Sequence, residues 1–545
     1  MSKFKIASAT PETFVTDMVQ RCAPMENKLC SLYWTLATTG DETVAKELSE
    51  IEKTLKLNFS NPNELAQLKK WKNDGIKEEN LARQVDLLIK AYIPNQLDEK
   101  TIADLVDKQT ELENIFNTFR AELDGKKRTN NDLKDILKIE KNDEQRKEVW
   151  EATKQIATEV ADKIHILAKK RNAAAIKLGF PNHFEMSLKL QELDSAWLFP
   201  LFDDLKKRTQ KTFEKKIKNL HEKLGKYYNI SAEAVMPWHY EDPFAQSAPS
   251  QVTIDLDPYL KGKDILKVCR EFYASIDLDI ADILEKSDLF EKPGKSQHAF
   301  CLSTSKEKKD VRVLANIRPN SYWTSTMLHE LGHAAYSKNI NYNLPYFLRD
   351  EAHIFATEAI AMLMERMMHH PHWLKSMVGL TDADLKSLGG DLYESMALDK
   401  LIIARWVMVV THFEKALYAN PDQDLNGLWW KLVGDFQLLK KPIGRNFPDW
   451  AAKIHIASAP VYYQNYLLGE LMAAQIAETL EKEAIQKPLT QVSFLGVPKI
   501  GKLLKERMFQ LGTKWPWEKL VPHVTGQPLN ADSFVKQFCE FSSGA

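Results

Sequence analysis

The chain has 545 residues, 74 lysines and arginines against 75 aspartates and glutamates, 44% hydrophobic and 27% charged residues. These values describe a soluble globular protein with ample material for a large core, exclude a disordered chain, and give no global reason to expect nucleic acid or a membrane surface as partner. The five scattered cysteines, Cys22, Cys30, Cys269, Cys301 and Cys539, read as reduced thiols, and MSKFKIASATPETF lacks a secretory pattern, so a cytoplasmic protein without a membrane span is expected.

From Pro11 to about Leu123 the apolar residues recur at helical spacing, as in Phe14, Met18, Leu29, Leu32, Tyr33 and Leu36. Turn signals at Thr38-Thr39-Gly40, Asn61-Pro62, Asn73-Asp74-Gly75 and Ile93-Pro94-Asn95 punctuate this region, and Asp124-Gly125-Lys126 reads as a charged turn. Glu144 to Leu178, stopped by Gly179, reads as one long helix. The lysine-dense stretch Lys206 to Lys226 carries a stripe of Leu205, Phe213, Ile217, Leu220 and Leu224, which makes it a solvated helix with one buried face. Residues 236–260 hold four prolines and a short alternating run, VTIDLD, in a loop-rich segment of the kind that contacts substrates. His298 to Ile317 is the one convincing hairpin, HAFCLS and VRVLANI joined by a charged turn. Its edge could pair with an extended peptide or simply cover the core.

Immediately after the hairpin comes MLHELGHAA, with His329, Glu330 and His333 in the order His-Glu-x-x-His. On a helix the two histidines are one turn apart and can share a zinc ion, while Glu330 stands beside them as general base toward a water that the ion acidifies. Met327, Leu328, Leu331, Ala334 and Ala335 make the helix apolar nearly all round, so its polar residues need partners. A third ligand is expected on the second apolar helix, EAHIFATEAIAMLMERMM, where Glu358 is flanked by Phe355, Ala359 and Ile360. Asp350 and Glu351 are rivals, but helix capping explains carboxylates at the start of that helix. The tract His369, His370, His372 is interrupted by Pro371 and reads as a surface turn. Helices resume from Leu385 to Lys440. A loop then leads into KIHIASAPVYYQNYLLGELMAAQI, where His455, Tyr463 and Tyr466 offer hydrogen-bond donors for an oxyanion or, equally, aromatic packing for a core.

The chain resembles the angiotensin-converting-enzyme family of gluzincin peptidyl dipeptidases over most of its length, from YWTLATTGDETVAKEL through VWEATKQIATEVADKIHILAKKRNAAAIKLGF to the C-terminal tyrosines. His329, Glu330 and His333 match its zinc motif, Leu348-Arg349 and Glu358-Ala359-Ile360 its FLR…EAI segment, and His298-Ala299 its edge strand. Lys453, His455, Tyr463 and Tyr466 match its Lys-x-His and paired tyrosines, with one residue inserted after His455. The resemblance implies an all-α fold with one small β-hairpin near the active site and two helical lobes around a deep substrate cleft. It would be a single domain of residues 1–545, with a lid at about 1–125 and a zinc-binding core at about 236–475.

The resemblance further implies one zinc per chain on His329, His333 and Glu358, with Glu330 as general base and proton donor. It makes Tyr466 and His455 the oxyanion donors, and gives the substrate main chain to His298 and Ala299. Lys453, Tyr463 and Gln246 would clamp a free C-terminal carboxylate; the monocarboxypeptidase branch has arginine where Gln246 stands, so release of dipeptides from oligopeptides is expected. Three departures matter. The family's aspartate four residues after the zinc glutamate is Met362, so a zinc histidine must find another partner. Its two chloride-binding arginines are Asn465 and Val433, which predicts activity without chloride activation. Its cysteine before His-Ala is Gln297, in keeping with a disulfide-free relative. The competing readings are a thimet-type endo-oligopeptidase, a zinc carboxypeptidase, and a catalytically silent binding homologue, the last disfavoured by intact Glu330 and Tyr466. Oligomeric state is not encoded legibly.

Overall fold

The computed structural model describes residues 9–296, 298–388, 391–489 and 492–540. Gln297 and the first eight residues lie outside them. The architecture is mainly α-helical, as expected, with two small antiparallel hairpins. Among the described residues no helix is long and apolar enough to cross a membrane.

Five helices form the N-terminal region: α1 (Pro11–Thr39), α2 (Glu42–Asn58), α3 (Pro62–Asp74), α4 (Glu79–Tyr92) and α5 (Glu99–Thr118). Their starts follow from local chemistry. Thr10 caps α1 in a capping box with Thr13, and Pro11 opens the first turn, where its missing N–H costs nothing. Asp41, Asn61 and Asp98 cap α2, α3 and α5. α1, α3 and α4 close on a small core of their own, including Phe14, Met18, Leu68, Trp71, Val85 and Tyr92, separate from the main core. α5 belongs elsewhere: its Leu112 joins the main core.

Two sequence expectations change here. The charged turn at Asp124-Gly125 closes a hairpin of β1 (Ala121–Leu123) and β2 (Lys126–Arg128), with both turn residues at positive φ. The long helix read from Glu144 to Leu178 is two, α6 (Asp143–Ala152) and α7 (Ile156–Lys177), interrupted at residues 153–155. The buried Lys154 sits in that break, its ammonium over the Phe244 ring. α8 (Ser195–Tyr228) is the lysine-rich helix, and all five residues of its apolar stripe are buried. The VTIDLD run forms no strand; Ser250–Val252 is a 3-10 turn, and the segment runs as a loop.

The second hairpin pairs β3 (Phe300–Ser305) with β4 (Asp310–Leu314), with an irregularity at residues 303–305. His298 and Ala299 lead into β3 rather than lying within it. β3 pairs only with β4 among the described strands, so its other edge is unpaired in the sheet. The end of α1 packs beside this region: the Ser296 N–H donates to Ala37 O at 2.8 Å, and Tyr33 and Trp34 pack on the Phe300 ring.

The core of the body is formed by α9 (Ser321–Lys338), α10 (Ile354–Glu365), α11 (Leu392–Ala419) and α12 (Gln464–Leu480). Two glycines set how closely three of these approach. A Cβ on Gly332 of α9 would meet Ala361 Cα of α10 at 2.8 Å, and one on Gly469 of α12 would meet Glu358 Cβ at 2.9 Å. Both distances are below contact, so α9, α10 and α12 share a spacing that only glycine permits.

Candidate metal centre and active site

α9 begins at Asn320, whose side chain caps the Trp323 N–H at 2.9 Å. Met327, Leu328, Leu331, Ala334 and Ala335 are fully buried, as their apolar pattern requires, and the two histidines emerge from that surface one turn apart. α10 is capped by His353 and runs against α9 at the Gly332 contact, bringing Glu358 to face both imidazoles.

The convergence is close. His329 Nε2 lies 3.2 Å from His333 Nε2, and Glu358 Oε2 lies 3.5 Å and 3.7 Å from these two nitrogens. Donor atoms bonded at 2.0–2.1 Å to a tetrahedral zinc ion sit roughly 3.3 Å apart, so the triangle has the size such an ion needs. Glu358 Oε2 is buried with no hydrogen-bond partner, which marks a place for a cation. Among the described residues these three form the one group of histidine, cysteine and carboxylate side chains with metal-ligand spacing. Asp350 pairs instead with Lys306 at 2.7 Å, and Glu351 accepts from Ser337. In the histidine tract, His370 bonds Leu489 O and His372 lies 2.8 Å from Ser493 Oγ.

The electrostatics agree with the geometry. Burial opposes a charge on His329, but its contacts with Glu358 and Glu365 override this and hold its pKa well above the ordinary histidine value. Burial, together with the charge on His329, drops His333 to about 4. The pair thus favours one positive charge between two imidazoles, in a site that also faces carboxylates. Burial, with the neighbouring Glu358 and Glu365 charges, lifts Glu330 to about 7; a backbone hydrogen bond from Cys301 on β3 works the other way.

Behind these three donors lies a ring of partners that sequence reasoning missed. His329 Nδ1 contacts Glu365 Oε2 at 3.0 Å, His333 Nδ1 contacts Thr357 Oγ1 at 2.7 Å, and the Tyr462 phenol donates to Glu358 Oε1 at 2.8 Å. Glu365 fills the gap left by Met362, which is buried among apolar neighbours. Its signal was present: seven residues after Glu358, it lies two turns along the same helix face. Lys400 of α11 donates to Glu365 Oε1 at 2.8 Å and to Glu470 Oε1 at 2.6 Å, and Glu470 pairs with Arg366 at 2.7 Å. Such a buried chain of charges is stable only while every member is paired.

Tyr463 and Tyr466 stand at the start of α12 with ring centroids 5.2 Å apart, and the His455 ring lies 5.0 Å and 6.3 Å from them. Burial, then the charge of Glu358, raises Tyr466 well above the ordinary phenol value, so it remains a proton donor. Burial, with Lys453 and His298 nearby, holds His455 well below the ordinary histidine value and therefore neutral. Gln246 Oε1 accepts from Lys453 Nζ at 3.2 Å and from the Tyr463 phenol at 3.4 Å, so all three clamp residues of the expectation meet. Asp242, also missed, fixes the arrangement by accepting from Gln246 Nε2 at 2.9 Å and from the Phe244 N–H at 2.8 Å. His298 is solvent-exposed, yet desolvation and the Lys134 and Lys453 charges lower its pKa; Ala299 is partly buried against the main core.

Compared with known families, the chain matches a family model described as angiotensin-converting enzyme over residues 6–233 and 237–542.

Proposed function

The chain belongs to the angiotensin-converting enzyme family of peptidases, and from that premise we propose that it is a zinc peptidyl dipeptidase, removing dipeptides from the free C-terminus of oligopeptides. Zinc would be held by His329, His333 and Glu358. The observation that supports this part is the 3.2–3.7 Å triangle of their donor atoms around the unpartnered Glu358 Oε2. When bound, zinc supplies a Lewis acid that polarises the scissile carbonyl and acidifies water.

The chain's own groups do the rest. Glu330, lifted toward neutrality by burial, takes the proton of the attacking water and returns it to the leaving amine. The phenol of Tyr466 and the neutral His455 donate to the oxyanion as the carbonyl becomes tetrahedral. His298 and the Ala299 backbone hold the extended substrate beside the free edge of β3. Lys453, Tyr463 and Gln246 receive the terminal carboxylate, and their mutual hydrogen bonds are what favours exopeptidase over endopeptidase action. Asn465 already donates to Gln191 Oε1 and Tyr462 O, and Val433 is apolar and buried, so neither is an anion ligand. Activity should be flat across a chloride titration.

Mass analysis of the products from one peptide in free-acid and C-terminally amidated forms tests the reading. Successive loss of dipeptides from the free acid, with the amide cut poorly, is expected, together with one zinc per chain by metal analysis. Single-residue release, internal cuts, or equal cleavage of the amide would overturn it.

A further inference from the structure

Each donor that converges on the metal position is backed by one partner on its far side: Glu365 behind His329, Thr357 behind His333, Tyr462 behind Glu358. A histidine presents one nitrogen when the other is engaged, but a carboxylate presents two equivalent oxygens unless something distinguishes them. Resting on the zinc reading above, we propose that Tyr462 is a positioning residue that makes Glu358 a one-oxygen ligand. Its phenol occupies Oε1 at 2.8 Å, leaving Oε2 alone toward the metal and a coordination position open for water. Among the described residues Tyr462 is the one side chain that donates to Oε1, while the contacts of Glu358 with both imidazoles run through Oε2.

The backbone ahead of Tyr462 is built to aim it. Val461 has φ 56°, a left-handed conformation that a β-branched residue adopts only when its surroundings enforce it. They do so from both sides. The Val461 N–H donates to the buried Glu414 Oε1 at 2.8 Å, and its carbonyl accepts from Gln191 Nε2 at 2.9 Å and Gln464 Nε2 at 2.7 Å. Tyr462 leaves this turn just before α12 begins, reaches across to α10, and packs its ring on Tyr466 at 5.4 Å between centroids.

The test uses full-length protein, stripped of metal and reloaded. Zinc affinity is measured by competition with a fluorescent chelator, and the cobalt-substituted enzyme by visible absorption. Tyr462→Phe keeps the ring packing and removes only the hydroxyl. It should weaken zinc binding about 10–100-fold, the usual effect of losing an outer partner of a metal ligand. It should also lower the intensity of the cobalt bands as Glu358 rotates to bind through both oxygens. Tyr462→Gln, which restores a donor, should recover part of the affinity. In a Glu358→Gln background Tyr462→Phe should add nothing, because the phenol acts through that carboxylate. Wild-type affinity with an unchanged cobalt spectrum in Tyr462→Phe would overturn the proposal, as would an equal loss in the Glu358→Gln background. Wild-type protein that binds no zinc, or a Glu358→Gln variant that binds it with wild-type affinity, would instead overturn the metal reading beneath it.

Discussion

The N-terminal helices and the site-bearing body are built from the same amphipathic material but held together differently. α1, α3 and α4 close on a small apolar core in which the buried Glu64 is held by Arg21 and Tyr92, while charged pairs such as Lys72–Asp86 of α3 and α4 and Lys28–Glu47 of α1 and α2 lie on the surface. The body has a longer internal chain of charges: the buried Lys400, Glu470 and Arg366 and the partly buried Glu365 connect beneath the candidate metal ligands. The N-terminal helices meet the body through separate polar contacts, among them Arg83 Nε to Thr513 O at 3.0 Å and Tyr346 to Glu26 at 2.8 Å. The lesson is that precision and access are stabilised by different means. Buried pairs that must all be satisfied fix the site, while a region with its own core can shift as a unit.

Five measurements sharpen or break that contrast. Glu330→Gln should lower kcat by about 10²–10⁴-fold with zinc content unchanged, since it removes a base and no ligand. Lys400→Met removes the ammonium shared by Glu365 and Glu470, and chemical denaturation should show a loss of about 3–5 kcal/mol. A loss no larger than that of a surface pair would mean the buried network is not what fixes the site. Glu414 supplies a pH test. Burial lifts its carboxyl from an ordinary 4.5 to about 8, so the folded state holds a proton that the unfolded chain releases. Its contribution is therefore fully present below pH 4.5 and is lost as the pH rises toward 8. Glu414→Gln keeps an acceptor for Val461 and removes the titration, so it should match wild type near pH 4 and exceed it by up to roughly 4 kcal/mol at pH 8. Lys453→Ala should raise KM for free-acid peptides about 10–100-fold, the worth of a hydrogen bond to a charged group, and leave amidated peptides alone. At the small end, Lys72→Ala in α3 should change stability by about 0.2–1 kcal/mol.

What the sequence made legible was local. The His-Glu-x-x-His spacing and the apolar faces of α9 and α10 identified the two histidines and ranked Glu358 above Asp350 and Glu351, because an unpaired carboxylate among Phe355, Ala359 and Ile360 needs a partner. The gap at Met362 was visible too, but not that Glu365 fills it. Contacts between distant parts of the chain were out of reach: nothing in the periodicity of α12 ties Tyr462 to Glu358, 104 residues away. Nor does a loop with four prolines disclose that Asp242 orients Gln246. The break at 153–155 is invisible in the sequence because Thr153-Lys154-Gln155 contains no glycine or proline, so propensity alone gives no stop. His455, Tyr463 and Gln246 came from family likeness, since aromatic spacing by itself fits a core equally well.

Gly332 and Gly469 carry a last consequence. With no side chain at either contact, α9, α10 and α12 rest backbone against neighbour, and the donor triangle carried by α9 and α10 cannot readily widen. An ion bound at 2.3–2.6 Å by six to eight oxygens needs more room and more donors than this frame allows. At the proposed zinc site the helices would therefore act as a fixed gauge of ionic radius, with two missing methyl groups setting what size of cation fits.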